Sequence, residues 1–208
     1  MIPSSPSTRQ CRRTRHHADR RQKAALGDSA LVNRFLDHVL CLDFEASALG
    51  QGGFPIEVAV ADPATGAVRS WLIRPIDLWL GVGEWSEESA AVHKLTRHEL
   101  LRHGLPVTFV AAELSALCKG KQVLSDAIDL DSGWLATLYR ATRQGDAPFV
   151  LFWFHAFAVE LCWRMKRKPD TAYKAAELGA QKRFPTTHRA GAAARSRAEM
   201  LRLIAGCP

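Results

Sequence analysis

The sequence lacks the features of a membrane-spanning or exported protein. Its longest apolar stretch, residues 149–163, contains His155 and Glu160 and is too short to cross a bilayer. The N-terminus has no apolar segment of the secretory type. None of the five cysteines forms a Cys-x-x-Cys pair, which argues against a zinc site and favours reduced thiols. We therefore predict a cytoplasmic protein that makes no membrane contact.

Acidic residues are scarce at the start of the chain, and this segment accounts for most of the positive net charge of the whole sequence. Residues 1–27 hold seven Lys or Arg and one Asp, which accounts for +6 of the formal net charge of +7 over 208 residues. The body of the chain is therefore nearly neutral, and the net charge is weak evidence that this body binds nucleic acid. We predict a disordered basic arm over residues 1–27 and a single folded domain over residues 28–208.

Two carboxylates interrupt the most strand-like stretch of the chain. Residues 39–45 are an apolar run that ends in Asp43, Phe44 and Glu45, and such runs are typical of buried strands. Side chains alternate along a strand, so Asp43 and Glu45 point to one face and Phe44 points to the other, into the core. Paired acids at the end of an apolar strand suit Mg²⁺ or Mn²⁺ as a shared cation. The alternative is a strand that simply ends in two solvated acids.

Strands and helices alternate along the rest of the chain. Three strands come first, and the turn residues 62–66 join the second to the third. Helices then alternate with two more strands, which predicts an α/β domain with a mixed five-stranded sheet flanked by helices. We expect strands at 38–45, 56–61, 68–73, 122–124 and 149–153, and the longer helices at 106–118, 131–143, 171–183 and 188–204. Thr96 and Glu99 predict a capping box at the start of a helix. Phe109, Leu114 and Leu117 are expected on the apolar side of the 106–118 helix.

A second group of acids follows the fourth predicted strand. Asp126, Asp129 and Asp131 lie close together in sequence, and Asp131 is placed where a helix is expected to begin. An acid at that position can be an N-cap, so Asp131 alone does not define a site. His188 opens the last predicted helix, and an isolated histidine is commonly structural or solvated.

The order of these motifs resembles the DEDDh family of 3′–5′ exonucleases, DnaQ-like members of the ribonuclease H-like superfamily. Residues 43–49, Asp-Phe-Glu-Ala-Ser-Ala-Leu, are similar to the family's first motif, Asp-x-Glu-Thr-Thr-Gly-Leu. Residues 92–96 resemble the family's His-Gly-Ile-Thr segment. Asp131 fits the second motif, with Asp126 and Asp129 as neighbouring alternatives, and His188 fits the third. The resemblance covers about residues 38–205 and implies a ribonuclease H-like fold.

The third motif departs from the family pattern at one position. The family sequence is His-x-Ala-x-x-Asp, whereas residues 188–193 read His-Arg-Ala-Gly-Ala-Ala, so Ala193 stands where a metal-binding Asp is expected. Two interpretations remain open. In the first, Ala193 is an inactivating Asp→Ala change of the kind that allows a substrate to bind without being cleaved. In the second, the chain is a naturally degenerate member of the family.

The resemblance implies a site that hydrolyses a phosphodiester at a 3′ end with two Mg²⁺ or Mn²⁺ ions. Asp43, Glu45, Asp131 and position 193 would hold the ions, and His188 would accept the proton of the attacking water. The substrate-binding candidates are Ala46, Ser47, Leu49 and His93. The partners are then 3′ ends of single-stranded RNA or DNA, and a homodimer is consistent with the family. The alternative function is a non-catalytic nucleic-acid-binding module on the same fold.

Two further groups of residues are candidates for substrate contact. Trp79 and Trp85 are expected in a glycine-containing loop, where they could stack on bases at the rim of the site. Basic residues near the third motif could meet phosphates, or they could form a solvated helix surface. These basic residues are Lys166, Arg167, Lys168, Lys182, Arg183, Arg189, Arg195 and Arg197.

Overall fold

The computed structural model describes residues 35–50, 52–185 and 187–206. The predicted basic arm at 1–27 lies outside the described residues, as does nearly all of a short helix expected at 29–35. A compact unit begins at Leu36, and every element below belongs to it.

Five strands form one mixed sheet in the order β3-β2-β1-β4-β5. Strand β1 pairs antiparallel with β2, and β2 pairs antiparallel with β3. On its other edge β1 runs parallel to β4, which in turn runs parallel to β5. This arrangement confirms the predicted mixed five-stranded sheet. The strands are β1 (Val39–Ala46), β2 (Pro55–Ala61), β3 (Val68–Leu72), β4 (Gln122–Ser125) and β5 (Leu151–Trp153).

Eight helices flank this sheet within the described residues. The shorter ones connect β3 to β4, and the longest, α8, packs against β1 and β2. They are α1 (Asp77–Val82), α2 (Glu87–His93), α3 (Arg97–His103), α4 (Val107–Cys118), α5 (Ile128–Thr142), α6 (Phe154–Arg164), α7 (Pro169–Arg183) and α8 (Ala190–Ala205). None of the described helices is both long enough and apolar enough to cross a bilayer.

The two faces of β1 have different neighbours. Leu40, Leu42 and Phe44 belong to the main hydrophobic core, which also contains the buried residues of α4 and α5. This placement confirms that Phe44 is a core residue. The alternate residues, including Asp43 and Glu45, therefore face the other side of the sheet, where α8 packs. The strand pleat separates the acids from the apolar core.

Several local features of the fold agree with the sequence predictions. Asp62 accepts hydrogen bonds from the backbone N–H groups of Ala64 and Thr65, and this closes the predicted turn between β2 and β3. Thr96 and Glu99 form the predicted capping box at the start of α3. Cys41, Cys118 and Cys162 are buried and free, as expected for reduced thiols.

Two expectations in the connecting region were wrong. Trp79 lies in the short helix α1 rather than in a loop, and it is buried, with its ring stacked on Phe54 at 5.5 Å between centroids. It is therefore a core residue and not a base-stacking platform. Gly83 ends α1, and a Cβ there would lie 2.4 Å from the carbonyl oxygen of Trp79. In α4 the predicted apolar face included Phe109, which is exposed.

Candidate active site

An open cleft of about 440 Å³ lies at the carboxyl end of β1. Acids from two elements converge on it: Asp43 and Glu45 from β1, and Asp131 from the first turn of α5. Parallel pairing of β1 with β4 explains this convergence, because α5 begins shortly after β4 at the same edge of the sheet. The other lining residues are Phe44, Ala46, Leu49, Glu84, Ser86, Glu88, Ser89, Val92, His93, Ala127, Leu130 and Trp134.

Asp131 is fixed in place by hydrogen bonds rather than by capping a helix. It is buried, and its Oδ2 accepts a hydrogen bond from Ser125 Oγ at 2.5 Å. The backbone N–H of Phe44 also donates to this carboxylate. Helix α5 begins at Ile128 and has no side-chain cap, so the N-cap explanation for Asp131 was wrong. The side chain instead ties the start of α5 to the end of β1.

The carboxyl groups of Asp43, Glu45 and Asp131 share an environment that disfavours their negative charge. Burial is the largest cause, and it raises the pKa of Glu45 to about 7 and the pKa of Asp131 to about 7. Burial also raises the pKa of Asp43 well above its usual range, and the charges of Asp131, Asp126 and Glu45 add to this rise. A cation in the cleft would relieve this repulsion and lower all three pKa values.

His93 lines the same cleft and has a buried hydrogen-bonding atom without a partner among the described residues. The ring is buried, and its Nδ1 accepts a hydrogen bond from the backbone N–H of Leu95 at 3.0 Å. Burial and the charge of Arg189 lower the pKa of His93, so the ring is neutral and its proton is on Nε2. This Nε2 has no hydrogen-bond partner among the described residues. A buried donor without an acceptor is costly, and a ligand oxygen in the cleft would satisfy it.

Residues 46–49 of the first motif differ in whether they line the cleft. Ala46 and Leu49 line it, and Leu49 is 73% exposed. Ser47 is fully buried; its Oγ donates to the carbonyl oxygen of Glu84 at 2.7 Å and accepts from the N–H of Phe54 at 3.0 Å. The Ser47 hydroxyl therefore holds the loop together and lies behind the cleft wall.

Neither His188 nor Ala193 of the third motif is among the described residues that line the cleft. His188 is exposed, lies two residues before α8, and has a left-handed backbone with φ of 49°. It is absent from the described cleft lining. Ala193 lies in the first turn of α8 and is half-buried. The structure thus groups Asp43, Glu45 and Asp131, and it leaves His188 apart from them.

Sequence analysis missed two ion pairs that connect α8 to the sheet. Glu57 on β2 is 2% exposed, and it accepts hydrogen bonds from Arg189 Nε at 2.8 Å, Arg189 Nη2 at 2.9 Å and the N–H of Ala190 at 3.1 Å. Arg197 Nε donates to Asp126 Oδ2 at 2.6 Å. Phosphate contact and a solvated surface were the two roles considered for these arginines, and in the structure each of them binds an acid of the protein. An acid within the apolar strand Ile-Glu-Val was the available signal for Glu57.

The residues of the cleft suit a hard divalent cation held by oxygen. Three carboxylates converge there, and Mg²⁺ commonly uses one or two carboxylates together with waters and substrate oxygens. Within the described residues, no three His, Cys, Asp or Glu side chains are close enough to enclose an ion by themselves. An ion bound here would have to take much of its shell from water or a ligand, with Asp43, Glu45 and Asp131 as the candidate donors.

The raised pKa of Glu45 predicts a stability change with pH. The folded state binds a proton that the unfolded chain has already lost between about pH 4.5 and pH 7. Without divalent ions, stability contributed by Glu45 is thus highest at acidic pH and is lost as the pH rises to 7. We expect Glu45→Gln to raise stability by about 1 kcal/mol at pH 7.5, after allowance for partial exposure, and to leave it unchanged at pH 4.5.

Thermal melts in EDTA would measure this difference, and about 1 kcal/mol corresponds to about 3 °C in a domain of this size. Glu88→Gln is the matched control, because Glu88 lines the same cleft but is exposed. Equal shifts for the two variants at pH 7.5 would contradict the assignment of a destabilising charge to Glu45.

Comparisons with known proteins support the fold but provide no sequence relative. No protein-family model matches the chain, and no curated protein matches it significantly. The nuclease domain of 3′hExo, a DEDDh family member solved with rAMP, has a TM-score of 0.56 and 15% identity, over 80% of this chain and 90% of that one. A structure of exonuclease I has a TM-score of 0.58 and 12% identity over 80% of this chain.

Exonuclease I from E. coli in complex with a dA16 oligonucleotide is a further match, with a TM-score of 0.56 and 13% identity over 79% of this chain. The chain spans about 40% of the length of these exonuclease I chains. Identities this low establish the fold alone. The protein thus has the α/β fold of the ribonuclease H-like exonucleases, in agreement with the sequence prediction.

Proposed function

We propose that this domain is a divalent-metal-dependent 3′–5′ exonuclease that acts on single-stranded nucleic acid, and that Ala193 makes it slow. The convergence of Asp43, Glu45 and Asp131 on one cleft is the observation that carries the proposal. The fold supports it, because the matched chains of the same architecture include exonuclease I and the 3′hExo nuclease domain.

The chain's own residues would bind and orient the end of the nucleic acid. The Nε2–H of His93 would donate to an oxygen of the terminal nucleotide, which would satisfy this buried group. Leu49 is exposed at the cleft and would pack against the terminal base or sugar. Asp131, held by Ser125, would keep its carboxylate fixed towards the reacting phosphate.

A divalent ion held by Asp43, Glu45 and Asp131 would stabilise the negative charge that develops on the phosphate and lower the pKa of a bound water. His188 remains the proposed proton acceptor. Because it is exposed beside α8, this role requires its side chain to turn towards the cleft when nucleic acid binds.

Ala193 leaves the α8 side of the site without the carboxylate that the resembled family has at this position. Introducing an Asp at position 193 is therefore the most direct test. We expect Ala193→Asp to speed the stepwise removal of 3′ nucleotides at least about tenfold, through an added anionic ligand. The substrates would be 5′-labelled single-stranded DNA and RNA oligonucleotides in the presence of Mn²⁺. Ala192→Asp is the matched control, since it adds the same charge at the adjacent, differently oriented position of α8.

A second candidate function is non-catalytic binding of a nucleic-acid 3′ end. Two observations favour it: Ala193 offers no ligand, and His188 is exposed away from the described cleft lining. Tight binding of 3′ ends without cleavage by the native chain or by Ala193→Asp would select this function. Measurable cleavage at equal rates by the native chain and by Ala193→Asp would support the exonuclease function. It would contradict the role proposed for position 193.

A further inference from the structure

A second pocket, of about 310 Å³, lies between the β2–β3 turn, the end of α7 and the outer side of α8. Its lining includes Ala61 at the end of β2, and Ala61 pairs with Cys41 of β1. Cys41 is four residues before Glu45, so Ala61 is displaced from Glu45 by roughly 13 Å along the strands. None of the described residues lines both this pocket and the cleft. The pocket is therefore separate from the candidate active site.

Three guanidinium groups line this pocket, which we call the arginine pocket, and one carboxylate offsets them. The arginines are Arg183, Arg195 and Arg202, and the carboxylate is that of Glu199. Glu199 is 5% exposed; it accepts a hydrogen bond from Arg183 Nη1 at 2.7 Å and lies 3.5 Å from Arg202 Nε. Three arginines and one glutamate leave a net charge of +2 in the lining, whereas residues 28–208 together carry only +1. Positive charge is thus concentrated at this one place on the domain.

Two of the arginines are held in defined orientations on α8. Arg195 is exposed, has no ion pair among the described residues, and lies over the ring of Phe184, 4.4 Å from the ring centroid. Arg202 is anchored to the β2–β3 turn, because its Nη1 donates to the carbonyl oxygen of Pro63 at 3.2 Å. Seven residues separate Arg195 from Arg202, so they lie on one side of α8, about 10 Å apart along its axis. The pocket therefore presents preoriented donors at two heights.

The chemistry of the arginine pocket suits a phosphate group. Arginine offers a planar fork of N–H donors that binds phosphate oxygens in pairs, and stacking on an aromatic ring keeps that fork in place. Arg183 and Arg195 were two of the basic residues considered for phosphate contact, and the fold brings them to one pocket. We propose that the arginine pocket binds a backbone phosphate of a nucleic-acid strand at a point separate from the cleft. The choice of a strand as the ligand rests on the proposed function, but the binding requires neither a metal ion nor cleavage.

Fluorescence anisotropy of a 5′-labelled oligo-dT of about 16 nucleotides, in EDTA, measures this binding without cleavage. We expect Arg195→Gln to weaken binding about fivefold at low salt. It should also reduce the slope of log Kd against log salt by about 0.7, the value for one phosphate contact on a single strand. Arg195→Lys should keep the native slope, because it keeps the charge. Thr65→Glu adds an acid at an exposed lining residue without removing an arginine, and it should weaken binding as well.

Arg69→Gln is the matched control for the loss of one arginine. Arg69 also lies over an aromatic ring, 5.4 Å from the centroid of Trp71, but it binds Glu113 of α4 on the other side of the sheet. We expect its affinity for the oligonucleotide to stay close to the native value. Equal losses for Arg69→Gln and Arg195→Gln would show that the overall charge of the domain attracts the strand, and the arginine pocket would be rejected. Thermal melts confirm that each variant is folded.

The remaining outcomes separate this inference from the proposed function. Native affinity in both Arg195→Gln and Thr65→Glu would overturn the pocket, even if Ala193→Asp cleaves with Mn²⁺. Competition by dTMP as strong as that by the oligonucleotide, at equal phosphate concentration, would identify a site for free nucleotides and overturn the assignment of a strand. Binding that depends on Arg195, with no cleavage by any variant, would support the pocket and reject the exonuclease.

Discussion

Asp43→Asn reduces Mn²⁺-dependent removal of 3′ nucleotides by about a thousandfold or more. Asp43 lines the cleft together with Glu45 and Asp131, and the charges of Asp131, Asp126 and Glu45 all raise its pKa. The substitution keeps the size of the side chain and removes one anionic ligand. It also removes repulsion, so the variant should be at least as stable as the native chain. Loss of cleavage without loss of stability would therefore identify a ligand and not a folding defect.

The measurement is best made in the Ala193→Asp background, where the starting rate is higher. Asp129→Asn provides the matched control. Asp129 lies in the first turn of the same helix as Asp131, but it is exposed. We expect its rate to stay within about twofold of the background. If Asp43→Asn and Asp129→Asn cleaved at similar rates, the cleft would not be the catalytic site.

Arg189→Met lowers the free energy of unfolding by about 2–3 kcal/mol. Glu57 is almost fully buried, and two of its four hydrogen bonds come from this guanidinium. Removing Arg189 leaves the buried carboxylate without a positive charge, with the Ala190 N–H and the Ser70 hydroxyl as its remaining donors among the described residues. This expected loss in the free energy of unfolding is small for a broken buried ion pair, because the Arg189 side chain is 40% exposed.

Urea unfolding at pH 7.5 would measure this loss, with two further variants as controls. Adding Glu57→Gln to Arg189→Met should recover more than half of it, because a neutral amide oxygen can still accept from Ala190. Arg69→Met breaks a surface pair in which the Arg69 side chain is 54% exposed, so it should cost less than about 1 kcal/mol. A similar loss for Arg69→Met and Arg189→Met would show that the buried pair does not anchor α8.

The parts of the site that depend on local pattern could be predicted from sequence. Strand alternation placed Asp43 and Glu45 on one face and Phe44 in the core, and the structure agrees. Asp131 was correctly predicted to lie close to the junction between a strand and the helix that follows it. Its actual partners, Ser125 and the N–H of Phe44, depend on how β1, β4 and α5 meet.

The features that were missed depend on contacts between distant residues. Arg189 and Glu57 are separated by 132 positions, and Arg197 and Asp126 by 71. Nothing in the local pattern around an arginine indicates which acid it will meet. Trp79 was similarly misplaced, because its burial comes from stacking on Phe54 and not from the periodicity of a six-residue helix.

The direct pairing of Glu45 with Glu57 across β1 and β2 connects the cleft to the base of α8. The two carboxylates repel each other through the strand pair, and the charge of Glu57 raises the pKa of Glu45. In the proposed metal-bound state, neutralising Glu45 would ease the burial of the charge on Glu57, and it would also remove the attraction of Glu45 for Arg189. Charge in the cleft would therefore act on both members of the ion pair at the start of α8. By thermodynamic reciprocity, the way in which α8 is held would in turn change how strongly the cleft binds a cation.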